Sequence, residues 1–225
     1  MRASSPSVAD AMSEHWNNRA HRFNGSASHV RHEKDWLNLF SEVLGPNSVD
    51  VVDLGCGTGA CSLLLAKLGH RVTGVDGSRE MLRLASEAAD DSDLDIWFIQ
   101  STMDDAPLAD ESADVVTLRN VIWTLENPAG AIALAQRILR PGGKIILSDG
   151  MWFEHRENDS FELFGANLPF YNGVTQDDAL KLLSLAGFTG SKAWQDLFPL
   201  HPYGTVYDDD TKLIRYFVLS AFKPE

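Results

Sequence analysis

The stretch VVDLGCGTGA, Val51 to Ala60, puts a carboxylate at the end of an apolar β-branched run and three glycines in the turn that follows. Val49, Val51, Val52 and Leu54 read as a buried parallel strand, and Ala60, Leu63, Leu64, Leu65 and Leu68 then switch to helical spacing. A strand that passes into a helix through Gly55, Gly57 and Gly59 commits the chain to βαβ units, with a turn whose backbone a ligand can approach closely. Gly55, Gly57 and Ala60 also satisfy the GxGxxG/A dinucleotide pattern, so the glycines alone leave the ligand open. Asp53 weighs against a pyrophosphate, which the turn and the following helix N-terminus otherwise favour. A ligand carrying ammonium and sulfonium charges gains from the same carboxylate.

The next strand, HRVTGV from His70 to Val75, closes on Asp76, where a carboxylate can accept both hydroxyls of a ribose. Asp76 suits a nicotinamide dinucleotide or S-adenosylmethionine alike, and Asp53 favours the second. With these residues in view, DLGCGTG closely resembles the first motif of the class I S-adenosylmethionine-dependent methyltransferases of the small-molecule type. GVDGSREML, Gly74 to Leu82, resembles their second segment, and Ser101 to Leu125 resembles the stretch from the adenine contact through the fourth strand. LRPGGKIILSDG, Leu139 to Gly150, resembles their entry to the fifth strand, so the likeness spans 49–150.

The resemblance implies S-adenosyl-L-methionine as cofactor, S-adenosyl-L-homocysteine as its product, and a cofactor site drawn from both acids and the turn. Carried over residue by residue, that site comprises Asp53, Gly55, Cys56, Gly57, Gly59, Asp76, Gly77 and Met81, with Thr102, Met103, Asp104 and Asn120 from the later loops. Many relatives have aspartate where this chain has Thr102, so recognition of the adenine amine passes to the threonine hydroxyl, the Met103 N–H or Asp104. The implied fold is α/β: a Rossmann-like, doubly wound, mostly parallel seven-stranded sheet with an antiparallel last strand and an N-terminal helical cap.

The chain has 225 residues, enough for one sizeable α/β domain, and 44% hydrophobic residues supply its core. We divide the single domain 1–225 into a helical cap (1–48), a cofactor core (49–150), a substrate cover (151–174) and a C-terminal helix and strands (175–225). The net charge of −13 repels phosphodiester backbones, which argues against nucleic acid as a partner. The N-terminal MRASSPSVADAMSEH lacks the apolar centre of a signal peptide, and no apolar run approaches a membrane span. A cytoplasmic protein without membrane contact is expected. Cys56 and Cys61 match no common zinc spacing, and no metal site is expected.

Alternating strand-like and helix-like windows with right-handed crossovers bring Asp53, Asp76, Thr102 and Asn120 to the carboxyl edge of one parallel sheet, where open α/β sheets bind ligands. Asn127 and Pro128 read as N-cap and first helical position, with Pro141, Gly142 and Gly143 as the stop and KIILSD as the strand after it. Thr175 with Asp178 reads as a variant capping box, with Gly187 ending that helix. The terminal KLIRYFVLSAF reads as a strand. MSEHWNNRAHRF and HEKDWLNLFSEVL are amphipathic, with Trp16, Trp36, Leu37, Phe40 and Leu44 as candidate buried positions.

Methyl transfer is an in-line displacement that needs alignment and exclusion of water, not a protein nucleophile. The acceptor sets whether a base is needed, and the titratable candidates are His155, Tyr171 and His201. Substrate-contact candidates are Trp16, Trp123, Trp152 and Tyr171, together with Arg119, which suits an acceptor carboxylate. Aromatic density after Gly150 points to a small, partly apolar acceptor held on O, N or S. An NAD-dependent oxidoreductase on the same scaffold and a non-catalytic S-adenosylmethionine-binding protein are the alternatives. The oligomeric state is not readable.

Overall fold

The computed structural model describes residues 7–26, 32–151, 168–198 and 216–225, apart from the side chains of 24–26. Two helices come first, α1 (Val8–Ser26) and α2 (Glu33–Leu44). Strand β1 (Asp50–Leu54), helix α3 (Ala60–Lys67), strand β2 (Arg71–Asp76), helix α4 (Arg79–Asp91) and strand β3 (Ile96–Gln100) follow as two βαβ units. Strand β4 (Ala113–Arg119), a 3-10 turn (Ile122–Thr124), helix α5 (Pro128–Ile138) and strand β5 (Leu139–Gly150) make a third unit on the far side of β1. Helix α6 (Gln176–Leu185), strand β6 (Thr189–Ala193) and strand β7 (Tyr216–Phe222) complete the sheet.

The seven strands run in the order β3-β2-β1-β4-β5-β7-β6, and β7 alone is antiparallel to both its neighbours. The chain reverses direction across the sheet between β1 and β4, which are paired in parallel with Asp53 opposite Thr117. Successive side chains on a strand face opposite sides. Leu54, Val116, Leu118, Ile145 and Leu147 therefore meet Ile132, Ala135 and Ile138 of α5 and Leu183 of α6 on one face. Val51, Val115, Ile146 and Val218 meet Trp36, Leu39 and Phe40 of α2 and Leu64 and Leu65 of α3 on the other. Trp36 and Phe40 are fully buried there, whereas Leu37 and Leu44, expected inside, are only partly covered. Loss of a buried ring of this kind costs about 3–5 kcal/mol.

Local chemistry sets the helix ends. Asn127 Oδ1 accepts from Gly130 N at 2.9 Å with Pro128 at the first helical position, and Thr175 Oγ1 accepts from Asp178 N at 3.1 Å. The expected stop at Pro141-Gly142-Gly143 falls elsewhere: α5 gives way at Ile138, and β5 already begins at Leu139. The reason is tertiary, because the end of β7 pins the glycines through Gly142 N to Lys223 O and Lys223 N to Gly143 O. Residues 101–112 join β3 to β4 without a helix, and Trp97 of β3 stays 72% exposed. Among the described residues no helix is long and apolar enough to cross a membrane.

Candidate functional site

The turn after β1 is tied to the end of β2. Gly55 N and Cys56 N both donate to Val75 O, at 2.8 and 3.0 Å. Gly55 has φ +71, and a Cβ there would lie 2.4 Å from Val121 Cγ2, so only glycine lets the β1 turn pass the segment after β4. Gly57, at φ +55, faces no atom within 4 Å of where a Cβ would stand, and its N–H donates to Asp76 Oδ2 at 2.9 Å. Ser78 N donates to the other carboxylate oxygen, Oδ1, at 2.8 Å. Each oxygen of an ionised carboxylate has room for two donors, so Asp76 keeps one free acceptor position on each. Burial pushes the Asp76 carboxyl up to about 6 against the pull of the Ser78 and Gly57 N–H groups, with the Asp53 charge adding to the rise.

A cavity of about 130 Å³ opens beside this carboxylate. Asp76, Gly77 and Gly55 form its floor, and Thr102, Met103 and Asp104 form one wall. Trp16 stands on the α1 side. These seven residues were anticipated from sequence, three of them from the glycine turn, the second acid and its neighbour, three from the loop after β3 and one from the N-terminal helix. Met12 and Ser13 of α1 and Val121, Leu125 and Glu126 after β4 also line the cavity and were not anticipated. The spacing of Val8, Met12 and Trp16, one per helical turn, is the signal that marks the α1 face; nothing local marks Glu126.

Asp53 is placed differently from its expected role. It is 1% exposed beneath the turn, where Ser62 Oγ donates to Oδ2 at 2.6 Å and Thr117 Oγ1 donates to Oδ1 at 2.7 Å. Burial holds its carboxyl above the usual range, opposed by those two hydroxyls and by the Arg119 charge. Its carboxylate thus faces Ser62 and Thr117 and is not part of the cavity lining. Strand alternation is the cause, since Val51 and Asp53 share the face turned to α2 and α3.

Arg119 shares that face with Val115 and Thr117, and its guanidinium lies 4.0 Å from the centre of the Trp36 ring. The expected pairing with an acceptor carboxylate is thus turned away from the cavity. Cys56 is buried behind Gly74, and burial followed by the Asp76 and Asp53 charges pushes its thiol well above the ordinary value. Gly59 at φ +82 opens α3 and abuts Ala85, and Met81 is buried with its N–H donating to Ser78 Oγ at 3.2 Å. Neither lines the cavity.

Asn120 follows β4 at φ +58, with its N–H bonded to Ser148 O at 2.8 Å, outside the lining. Trp123 stands behind Trp16, edge to face at 6.3 Å, and Phe23 meets Trp16 edge-on at 5.4 Å. Tyr171 is half-buried against the core that holds α5 and α6 and is not part of the cavity lining. Trp152, His155 and His201 lie outside the described residues. Among the described residues no group of three His, Cys, Asp or Glu is placed to hold a metal ion.

The described lining thus offers three carboxylates, Asp76, Asp104 and Glu126, and no Lys, Arg or His. Such a lining attracts a cationic nucleoside and opposes a pyrophosphate. Residues 52–147 match the family model of a methyltransferase domain. That likeness is confined to the segment and covers under half of the chain. The chain is 30% identical over 115 residues to a demethylmenaquinone methyltransferase of Tropheryma whipplei, across 51% of this chain and 47% of that protein. It is 34% identical over 113 residues to a ubiquinone biosynthesis O-methyltransferase of Xanthomonas oryzae pv. oryzae, across 50% of this chain and 47% of that protein. The chain therefore matches about half the length of these curated relatives. Among solved structures, the fold resembles magnesium protoporphyrin IX methyltransferase from Synechocystis, with bound S-adenosylmethionine, at a TM-score of 0.68 and 16% identity over 98% of this chain and 99% of that one. The cyclase SpnF shares the methyltransferase fold at a TM-score of 0.63 and 21% identity, over 84% of this chain and 80% of that one.

Proposed function

We propose that this chain transfers a methyl group from S-adenosylmethionine to a small-molecule acceptor and is left with S-adenosylhomocysteine. The observation that carries the reading is Asp76, braced by two backbone N–H groups with one acceptor position free on each oxygen, at the floor of a cavity without cations among its described lining. Its free positions match the two hydroxyls of a ribose. The Gly55–Gly59 turn gives close backbone approach, and Thr102, Met103 and Asp104 flank the base. Asn120 stands nearest the reacting end, and Asp53 acts through its field from beneath the turn. When bound, the donor supplies a methyl carbon activated by positive sulfur. The chain's own residues orient the reactants and keep water out.

The division into a cap (1–48), a cofactor core (49–150), an acceptor cover (151–174) and a C-terminal unit (175–225) belongs to this reading. The acceptor is methylated on O, N or S, with His155, Tyr171 and His201 as candidate bases and Trp152 within the cover. The quinone-pathway names of the curated relatives, together with Trp16 at the cavity and Trp123 behind it, favour an aromatic acceptor. Two free buried cysteines suit the reducing cytoplasm, and the charge of −13 disfavours nucleic acid as acceptor.

Calorimetry with S-adenosylhomocysteine and with NADH, followed by transfer of labelled methyl to a panel of phenols, amines and thiols, tests the reading. Binding of S-adenosylhomocysteine and a labelled product are expected. Preference for NADH points instead to an oxidoreductase, and tight binding without transfer to any acceptor points to a non-catalytic role. The likeness to a cyclase makes that last arm informative, because the fold does not by itself dictate methyl transfer.

A further inference from the structure

Asn17 of α1 makes contacts that its position in an exposed-looking helix does not suggest. Its Oδ1 accepts from Ser78 Oγ at 2.8 Å and from Glu80 N at 3.1 Å, while its Nδ2 donates to Glu14 Oε2 at 3.1 Å. The two donors and one carboxylate around the amide agree on which atom is oxygen. Glu80 N is an orphan donor in the first turn of α4, and Ser78, the N-cap, already satisfies Met81 N. Helix α4 is thus capped twice, once by its own residue and once from α1.

The same Ser78 donates its N–H to Asp76. One further turn along α1, Ser13 Oγ lies where a side chain on residue 77 would stand, 2.3 Å from an added Cβ. A Cβ at residue 77 would displace the Ser13 hydroxyl from its bond to Ala9 O, so α1 crowds this position.

We propose that Asn17 is a positioning residue: by holding the turn between β2 and α4, it seats α1 as one wall of the cavity, so that nucleoside binding and the docking of α1 depend on each other. Met12, Ser13 and Trp16 line the cavity on the α1 side, so the seat of α1 sets the position of that wall. Among the described side chains of α1 only Met12 and Ala20 are fully buried, with Val8, Ala11 and Trp16 partly buried against the core, so a modest apolar face and the Asn17 bonds share its docking and the seat is reversible. Ligand contact with that wall and docking of α1 are then reciprocally linked. The inference rests on the cofactor reading above.

The test uses the full chain, with S-adenosylhomocysteine as probe and amide exchange and calorimetry as readouts. In the wild type, saturating probe should slow exchange across α1. Asn17→Leu, which keeps the size and loses the acceptor, should weaken affinity by roughly tenfold, in the range of ordinary coupling between sites. The same variant should lose the α1 protection while β1 and β4 stay protected. Asn17→Asp combined with Glu14→Gln, which keeps an acceptor in place without setting two carboxylates against each other, should restore both. A purely structural role leaves the pH dependence of binding unmoved. Rehydration of Asp76, whose charged neighbours are Asp53 from β1 and Asp104 from the 101–104 loop, should instead move the midpoint down from about 6 in Asn17→Leu. Exchange of α1 indifferent to the probe in the wild type overturns the proposal without any variant. Wild-type affinity and pH midpoint in Asn17→Leu overturn it while leaving the cofactor reading intact, and failure of the wild type to bind the probe removes both.

Discussion

At the scale of single residues, the proposed role of Asp76 ties ligand binding to pH. Its carboxyl titrates near 6 in the folded chain because burial outweighs the Ser78 and Gly57 N–H bonds. Ribose hydroxyls donate to the ionised form, so a proton must leave before they bind. Affinity for S-adenosylhomocysteine is therefore expected to be flat above pH 7 and to fall up to tenfold per pH unit below about 6. Calorimetry across pH 5–8 checks the sign, with Asp76→Ala as a weak-binding, pH-flat control. A second contrast lies in the turn. Gly57→Ala meets no neighbour and costs only the left-handed backbone, about 1–2 kcal/mol. Gly55→Ala carries the same backbone cost plus a collision with Val121, so urea unfolding should show the larger loss at position 55.

At the scale of elements, the edge of the sheet remote from the cavity is laced by charge. Arg71 Nε meets Asp50 Oδ1 at 2.6 Å, and Arg140 meets Asp50 at 3.1 Å and Asp114 at 2.8 Å, joining β1, β2, β4 and β5. The Arg71 hydrogen bond, with help from Arg140, holds the Asp50 carboxyl below its usual range. Its folded value lies below the unfolded one, so the stabilisation is present above about pH 4 and is lost as pH falls through the lowered value. Arg140→Met should lower the urea midpoint at pH 7 without touching ligand affinity, and the gap should shrink in 1 M salt and in acid. The legibility of elements follows their chemistry. Helix α5 was readable because Asn127 and Pro128 act within a few positions of themselves. Strand β6 was not, because all five of its residues are exposed and carry no alternation; it exists because β7 supplies its partner. The early start of β5 escaped for the same reason, since Lys223 pins Gly142 and Gly143 from the far end of the chain.

At the scale of the whole molecule, charge and topology meet at one edge. A chain of net charge −13 with Asp76, Asp104 and Glu126 around its cavity should distinguish S-adenosylmethionine, which carries the sulfonium charge, from neutral S-adenosylhomocysteine. Raising salt should weaken the first more than the second, since the screening length contracts from about 10 Å at 0.1 M to 3 Å at 1 M. Parallel salt dependences would show that the field plays no part. The strand order that focuses these groups was foreseeable in outline, because right-handed crossovers bring every loop after a parallel strand to one edge. The sequence by itself determined the glycine turn, the acid at the end of β2, the helix caps and the α/β class, all of which depend on residues a few positions apart. Only the tertiary structure decided that Asp53 and Arg119 turn away from the cavity and that Asn17 reaches α4 across more than sixty residues. Which face a strand residue shows and which helix a loop brings overhead are set by the assembled sheet, and no local pattern encodes them.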